Sequence, residues 1–194
     1  MTSRVPIVAV IGDGTVSEGS EAWRLAEILG ERLVDAGYRV LTGGLGGVME
    51  AASRGAARSV AYVPGAVIGF LPGDDPADAN AHVDVSIATG LGHLRNALIA
   101  RADALVAIGG GAGTLSEMAL AWIGRRLLLA YRIEGWSGRL ADARLDDRSR
   151  FSSIGDDQVF GIDTAENAVA LLRERLPQYE AARREIPEGS LGGR

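Results

Sequence analysis

The chain has 194 residues, a formal net charge of −5 and 47% hydrophobic residues, which is enough for one α/β domain with a buried core. It contains no cysteine, which excludes disulfides, thiolate metal sites and cysteine nucleophiles, and its 2 histidines are too few for a histidine-rich metal centre. All 20 basic residues are arginine and they form no basic run. A lysine-dependent phosphate loop is therefore excluded, and nucleic acid is a poor candidate partner.

Short apolar segments alternate with helical patterns along the chain. The segments predicted to be strands are Val5–Ile11, Tyr38–Thr42, Gly65–Leu71, Val83–Ala88, Ala104–Ile108, Leu127–Tyr131 and Val159–Ile162. Helices are predicted from a capping box at 15–18 up to Gly37, and over Met49–Val60, Leu91–Arg101, Thr114–Ile123 and Ala165–Leu176, the last with its start at 163–166. The strands are apolar throughout instead of alternating, which is typical of a parallel sheet covered on both faces. We therefore predict one α/β domain over residues 1–176, with a doubly wound, Rossmann-like parallel sheet.

Two segments lie outside this alternation. Residues 134–158 are rich in Gly, Ser, Asp and Arg, and we predict a long surface loop there, which is a candidate lid. Residues 177–194 are predicted to form a polar C-terminal tail. The apolar run near the N-terminus, Val5–Ile11, is too short for a signal-peptide core or a membrane span, so we expect a cytoplasmic protein without a membrane partner.

Glycine turns follow several of the predicted strands. One turn contains Gly109, Gly110, Gly111, Gly113 and Thr114, and a second contains Gly43, Gly44, Gly46 and Gly47. A glycine turn that opens a helix leaves backbone N–H groups free beside the positive end of the helix dipole, which favours an anion such as phosphate. In open parallel sheets ligands bind at the carboxyl ends of the strands, so we expect both turns to meet Gly12 and Pro72 in one cleft.

Two charged residues accompany these turns. Glu117 completes a capping box with Thr114, and it also lies within reach of a sugar bound beside the anion site; both roles remain open. Arg95, followed by Asn96, is either a solvated arginine on a helix face or a clamp for a phosphate or carboxylate. We predict no metal site.

Two familiar sequence motifs, one for dinucleotide binding and one for serine hydrolases, are absent. The turn after the first strand has Ser17 where the dinucleotide fingerprint needs its third glycine, and the second strand ends without an acidic residue for a ribose. NAD or FAD in the usual mode is therefore not expected. The chain has no G-x-S-x-G sequence, which argues against a serine hydrolase triad.

Four motifs in order resemble a known family. They are LTGGLGGVMEAASRGA (Leu41–Ala56), LPGDDPADAN (Leu71–Asn80), TGLGHLRN (Thr89–Asn96) and AIGGGAGTLSE (Ala107–Glu117). They resemble the Rossmann-like proteins related to the LONELY GUY (LOG) enzymes and to molybdenum cofactor carrier proteins. The resemblance spans roughly residues 5–175 and implies a homodimer or homotetramer. It also implies a small phosphate-bearing ligand, either a nucleotide or a molybdenum cofactor, without a required cofactor.

The resemblance implies two alternative functions. LOG enzymes hydrolyse the N-glycosidic bond of nucleoside 5′-monophosphates, and their catalytic arginine and glutamate look like Arg95 and Glu117. Here Gly109 replaces the proline of the LOG motif and Asn96 replaces the lysine after the arginine. Both departures favour a protein that binds a nucleotide or other phosphate-bearing ligand without catalysis. A phosphoribohydrolase that releases free base and ribose 5-phosphate is the alternative.

Overall fold

Strands and helices alternate along the computed structural model, which describes residues 4–185. The strands are β1 (Ile7–Gly12), β2 (Arg39–Thr42), β3 (Val67–Leu71), β4 (Val85–Ala88), β5 (Ala104–Ile108), β6 (Leu127–Tyr131) and β7 (Val159–Ile162). The α-helices are α1 (Glu21–Asp35), α2 (Val48–Arg58), α3 (Asn96–Ile99), α4 (Ala112–Ile123), α5 (Trp136–Leu140) and α6 (Ala165–Arg184). Pro76–Asp78 and Gly92–Arg95 form short 3-10 helices.

All seven strands pair in parallel in one sheet, in the order β4-β3-β2-β1-β5-β6-β7. The chain moves outward from β1 to β4 and then returns to place β5 on the other side of β1. The order therefore reverses between β1 and β5, and this is the position where such sheets bind ligands. The predicted doubly wound α/β fold is confirmed.

The core has two parts, one on each face of the sheet. Val8 and Val10 of β1 pack with buried residues of α1, α2 and α6, whereas the intervening Ala9 and Ile11 pack with those of α3 and α4. Successive side chains of a strand point to opposite faces, so both faces of β1 are buried. This explains why the strand sequences are apolar throughout.

The start of the first helix differs from the prediction. The capping box at 15–18 was wrong, because α1 begins at Glu21 and the Ser20 hydroxyl accepts a 3.3 Å hydrogen bond from Trp23 N. Thr15 is engaged elsewhere, since its N–H and hydroxyl both donate to Asp13 Oδ1 at 2.7 Å. The predicted start of α6 is confirmed, with the Thr164 hydroxyl accepting from Asn167 N at 3.1 Å.

The segment predicted as one long loop has structure of its own. It contains α5 and ends in a partly buried arm, in which Arg150 forms an ion pair with Asp157 and donates to the carbonyl oxygens of Trp122 and Arg126 at 3.1 Å. This arm packs at the end of α4 and beside α6, so it is anchored away from the carboxyl edge of the sheet. A polar stretch can therefore be buried when its charges are paired.

The C-terminal helix is longer than predicted. The helix expected over 165–176 continues through Pro177 to Arg184, and the remainder of the predicted tail, 186–194, lies outside the described residues together with 1–3. Within residues 4–185, no helix is both long enough and apolar enough to cross a membrane.

Candidate functional site

A cavity of about 280 Å³ opens at the carboxyl ends of β1 and β5, where the strand order reverses. Its wall comes from the end of β1, the turn after β2, the 3-10 helix before α3 and the first turns of α4. The lining residues are Val10, Ile11, Gly12, Asp13, Gly14, Gly43, Met49, His93, Arg95, Asn96, Gly111, Gly113, Thr114 and Glu117. The predicted convergence of the glycine turns on this edge is therefore present in the structure.

Arg95 brings a half-buried positive charge to the cavity. Its Nε and Nη1 atoms are buried and have no hydrogen-bond partner among residues 4–185. Burial lowers the pKa of Arg95, while the negative charge of Glu117 opposes that shift. A backbone hydrogen bond holds the turn that carries Arg95 in place, since Gly92 N donates to the carbonyl oxygen of Pro72 at 2.9 Å. Pro72 thus positions the site without lining it.

Gly43 makes room for this guanidinium. A Cβ at position 43 would come within 3.0 Å of Arg95 Nη1 and of Met49 Sδ. Two neighbouring glycines of the same turn are required by the backbone conformation instead. Gly44 and Gly47 have φ values of 77° and 64°, which L-residues with side chains rarely adopt, and Gly47 precedes α2. Only Gly43 of this turn lines the cavity.

The third part of the site is the N-terminus of α4. Gly109 and Gly110 have φ values of 58° and 87°, and their carbonyl oxygens accept from Ser137 N and Trp136 N at 3.0 Å, so α5 holds this turn. Gly111 precedes the helix, and its carbonyl accepts the first helical hydrogen bond, from Leu115 N at 3.0 Å. The N–H groups that precede Leu115 have no acceptor within the helix.

Positions 111 and 113 differ from the other glycines of the site. A Cβ at either would meet no atom of the described residues within 4 Å, and both residues line the cavity. The lack of a side chain there keeps the helix N-terminus accessible. A helix N-terminus with free N–H groups carries a positive partial charge and favours an anion.

Glu117 faces Arg95 across the same cavity. Its side chain is nearly buried, with 7% of its surface exposed, and burial raises the pKa of Glu117 to about 7 against the opposing effect of Arg95. No ion pair within 4.0 Å joins the two side chains in the described structure. The capping-box interpretation of 114–117 was wrong, because α4 begins at Ala112 and Glu117 lies in its second turn.

Asn96 has a supporting contact as well as a place in the cavity wall. Its side-chain amide donates to Ser116 Oγ at 2.7 Å and more weakly to the carbonyl oxygen of Gly113 at 3.4 Å. These bonds tie the start of α3 to the start of α4. Asn96 therefore fixes the distance between Arg95 and the helix N-terminus.

The structure brings together eight of the predicted site residues as lining residues: Gly12, Gly43, Arg95, Asn96, Gly111, Gly113, Thr114 and Glu117. The other five do not line it: Gly44, Gly46, Gly47, Pro72 and Gly110. Six lining residues were not predicted as site residues: Val10, Ile11, Asp13, Gly14, Met49 and His93. Asp13 directly follows β1, so its position at a strand end could have indicated it, whereas nothing local distinguishes Met49 from a core residue of α2.

The fold and the cavity together define a Rossmann-like protein whose pocket lies at the reversal of strand order. The chain belongs to the SLOG cluster4 family, whose sequence profile matches residues 5–159. It is also 42% identical over 115 residues to an uncharacterized protein of Archaeoglobus fulgidus, which covers 59% of this chain and 72% of that relative. The resemblance predicted from the motifs is confirmed.

Solved structures agree with this assignment. The molybdenum cofactor binding protein of Rippkaea orientalis has 31% identity and a TM-score of 0.71, with 89% of this chain and 98% of that chain covered. The molybdenum cofactor carrier protein of Chlamydomonas reinhardtii has 28% identity and a TM-score of 0.70, with 89% and 99% covered. DNA processing protein A of Helicobacter pylori, at 17% identity and a TM-score of 0.62 over 87% and 80%, shares the fold alone.

Proposed function

We propose that the chain binds a small phosphate-bearing molecule, a molybdenum cofactor or a nucleotide, in the cavity between β1 and β5, and holds it unchanged. The half-buried guanidinium of Arg95 carries this proposal, because two of its nitrogen atoms are buried and lack a partner in the described residues. A buried donor without an acceptor typically costs about 1–3 kcal/mol, and an anion that accepts from it would remove that cost. A ligand phosphate would supply the missing acceptor.

Two groups would hold the phosphate from opposite sides. The guanidinium of Arg95 can donate two parallel hydrogen bonds, and the free N–H groups at the start of α4 can donate others. Gly111 and Gly113 leave space for the phosphate to approach the helix. Because the chain has no cysteine, no protein thiolate could coordinate the metal of a molybdenum cofactor.

Two structural relatives support the molybdenum cofactor as the ligand. The proteins of Rippkaea orientalis and Chlamydomonas reinhardtii are described as binding or carrying it, and both align over 89% of this chain. In this interpretation Glu117 is a ligand contact, and its raised pKa lets it donate a hydrogen bond to the ligand when protonated.

Nucleoside monophosphate hydrolysis is the second candidate, and the position of Glu117 favours it. The C1′–N bond breaks, its electron pair leaves with the base, which takes up a proton from solvent, and a carboxylate beside the phosphate site stabilises the oxocarbenium-like transition state. As that bond breaks, the oxygen of a water molecule bonds to C1′ of the ribose, and the carboxylate accepts the proton that the water loses. A glutamate with a pKa of about 7 is ionised in part of the molecules at neutral pH.

One experiment separates the two candidates. The purified protein is incubated with a panel of nucleoside 5′-monophosphates, and the mixture is analysed by chromatography for free base and by equilibrium dialysis for bound nucleotide. Binding without release favours the carrier, and release that disappears in Glu117→Ala favours the hydrolase. Gly111→Asp should abolish either activity, because it places a negative charge beside the phosphate.

The proposal also includes expectations about cellular location, nucleic-acid binding and oligomeric state. We expect a cytoplasmic location, which cell fractionation would test. We expect no nucleic-acid binding, which a filter-binding assay with single-stranded DNA would test. We also expect a homodimer or homotetramer, which light scattering would test.

A further inference from the structure

A second charged cleft lies at the opposite edge of the sheet, at the amino ends of β1, β5 and β6. It has a volume of about 260 Å³ and is lined by Arg4, Asp103, Arg126, Glu180, Arg183 and Arg184. Strand register accounts for the cluster, because Ala104 pairs with both Val8 and Leu127 and so sets the preceding residues of the three strands side by side. The end of α6 adds the last arginines.

Positive charge exceeds negative charge in this cleft. Four arginines face two carboxylates, and one of these, Asp103, already accepts bonds from Arg4 Nη2 at 2.6 Å and from Ile7 N at 2.8 Å. Although burial raises the pKa of Asp103, these bonds hold it below its ordinary value. Asp103 is therefore ionised, and its charge is paired with that of Arg4.

Arg126 is the least compensated member of the cluster. Its Nε atom is buried without a hydrogen-bond partner in residues 4–185, and no ion pair to Arg126 occurs in that range. Burial, together with the nearby charge of Arg183, lowers the pKa of Arg126 to about 10. Arg183 is also half-buried, and its contact with the cluster is a weak bond from Nη1 to the carbonyl oxygen of Asp103 at 3.4 Å.

We propose that this cleft is a second anion site, which binds a diphosphate group between Arg126 and Arg183. The site is separate from the glycine-lined cavity, since the two lie at opposite ends of the same strands. Several arginines that converge on one cleft match a multivalent oxyanion better than a single carboxylate, because each guanidinium offers a planar pair of donors. The diphosphate could come from inorganic pyrophosphate or from a nucleoside diphosphate.

Titration calorimetry with inorganic pyrophosphate tests the proposal on the full chain. The titration is made in Arg95→Gln, because the glycine-lined cavity is itself proposed to bind phosphate. In that variant we expect saturable binding with one site per chain, weakened about tenfold or more by adding Arg126→Gln or Arg183→Gln, since each removes a charged hydrogen-bond donor. The matched control is Arg39→Gln, an exposed arginine at the same edge of the sheet but outside the cleft. A parallel titration with ADP identifies the source: equal affinity indicates recognition of the diphosphate alone, and tighter binding indicates a nucleotide.

Two results would overturn the proposal. One is the absence of saturable pyrophosphate binding in Arg95→Gln, in which the other cavity has lost its guanidinium. The other is that adding Arg126→Gln or Arg183→Gln leaves the affinity of Arg95→Gln unchanged. Since burial and repulsion already disfavour the Arg126 cation, we expect Arg126→Gln to fold, with an unfolding midpoint no lower than that of wild type.

Discussion

The guanidinium of Arg95 occupies the space that a side chain at Gly43 would need. The two residues come from different parts of the chain, the turn after β2 and the 3-10 helix before α3, and they meet because both follow strands at the carboxyl edge of the sheet. The absence of a Cβ at position 43 thus determines where the half-buried positive charge lies. The geometry of the candidate site depends on this pair.

Gly43→Ala should therefore impair binding more than folding. The added methyl group would come within 3.0 Å of Arg95 Nη1, so the guanidinium must move, and we expect about tenfold weaker binding of the tightest nucleoside 5′-monophosphate. Gly46→Ala is the matched control in the same turn, because its Cβ would meet no atom closer than 3.5 Å. Equal affinities of the two variants in equilibrium dialysis would contradict the role of Arg95.

Gly113→Ala should separate stability from binding. Position 113 is helical, and alanine is favoured over glycine in helices by up to ~1 kcal/mol, so we expect a raised free energy of unfolding in urea. The same methyl group would project into the cavity beside the helix N-terminus, so ligand affinity should fall. Gly155→Ala, where a Cβ also meets open space but far from the cavity, should leave affinity unchanged. Undiminished binding by Gly113→Ala would argue against phosphate at the start of α4.

The buried carboxyl of Glu117 should make stability depend on pH. Its pKa in the folded protein is about 7, above the ordinary value of 4.5, so the protonated form is favoured by folding. The resulting stability is fully present below pH 4.5 and is lost as the pH rises through about 7. Glu117→Gln stays neutral, and it should exceed wild type at pH 8 by up to ~3 kcal/mol in free energy of unfolding.

Urea denaturation at pH 5 and pH 8 measures this difference. Glu50→Gln is the control, since this carboxylate lies on α2 and does not line the cavity. Parallel losses of stability in wild type and Glu117→Gln between the two pH values would show that Glu117 is ionised throughout, and the account of its environment would fail.

The arm of residues 150–157 should depend on its buried ion pair. Arg150 and Asp157 have side-chain exposures of 5% and 2%, and Tyr179 also donates to Asp157 Oδ1 at 2.6 Å. Asp157→Ala leaves Arg150 buried without its partner, which typically costs about 3–5 kcal/mol. Asp156→Ala, beside it, breaks an ion pair whose carboxylate is 57% exposed and should cost under about 1 kcal/mol. Similar urea midpoints for the two variants would rule out a structural role for the buried pair.

Exposed apolar side chains on α3, α4 and the turn before α3 are expected to join two copies of the chain. They are Leu91, Leu94, Leu98, Leu120 and Ile123, of which Leu94 and Ile123 are 76% and 65% exposed. The helices α3 and α4 pack against each other, and Leu94 directly precedes Arg95. We expect light scattering to give an oligomeric mass for wild type and a monomer for Ile123→Glu, with Val60→Glu as the control at a fully exposed position elsewhere. A wild-type monomer would contradict this expectation.

Much of the fold follows from local sequence pattern. The strands Ala104–Ile108, Leu127–Tyr131 and Val159–Ile162 have the predicted bounds, because each is an apolar run bounded by polar or glycine residues. The predicted capping boxes at 15–18 and 114–117 are not formed, because other contacts replace them. The hydroxyl of Thr15 donates to Asp13 instead, and α4 already begins at Ala112, directly after a glycine turn.

The part of the site that depends only on the order of the strands could be predicted from the sequence. Arg95, Glu117 and the glycine turns follow strands that share one edge of the sheet, so their convergence could be expected from chain order. The position of Met49 depends on how α2 packs beside β1, and the Arg150–Asp157 pair joins side chains within a stretch that looks like a polar loop. Neither contact has a local signature.

Native mass spectrometry of freshly purified protein tests the central claim most directly. We predict that wild type carries one phosphate-bearing small molecule per chain, or acquires one from a mixture of nucleoside 5′-monophosphates and molybdenum cofactor. Arg95→Gln should lose it, while Arg101→Gln, an exposed arginine that does not line the cavity, should retain it. Wild type that neither carries nor acquires such a molecule, or Arg95→Gln that holds it as well as wild type, would contradict the account.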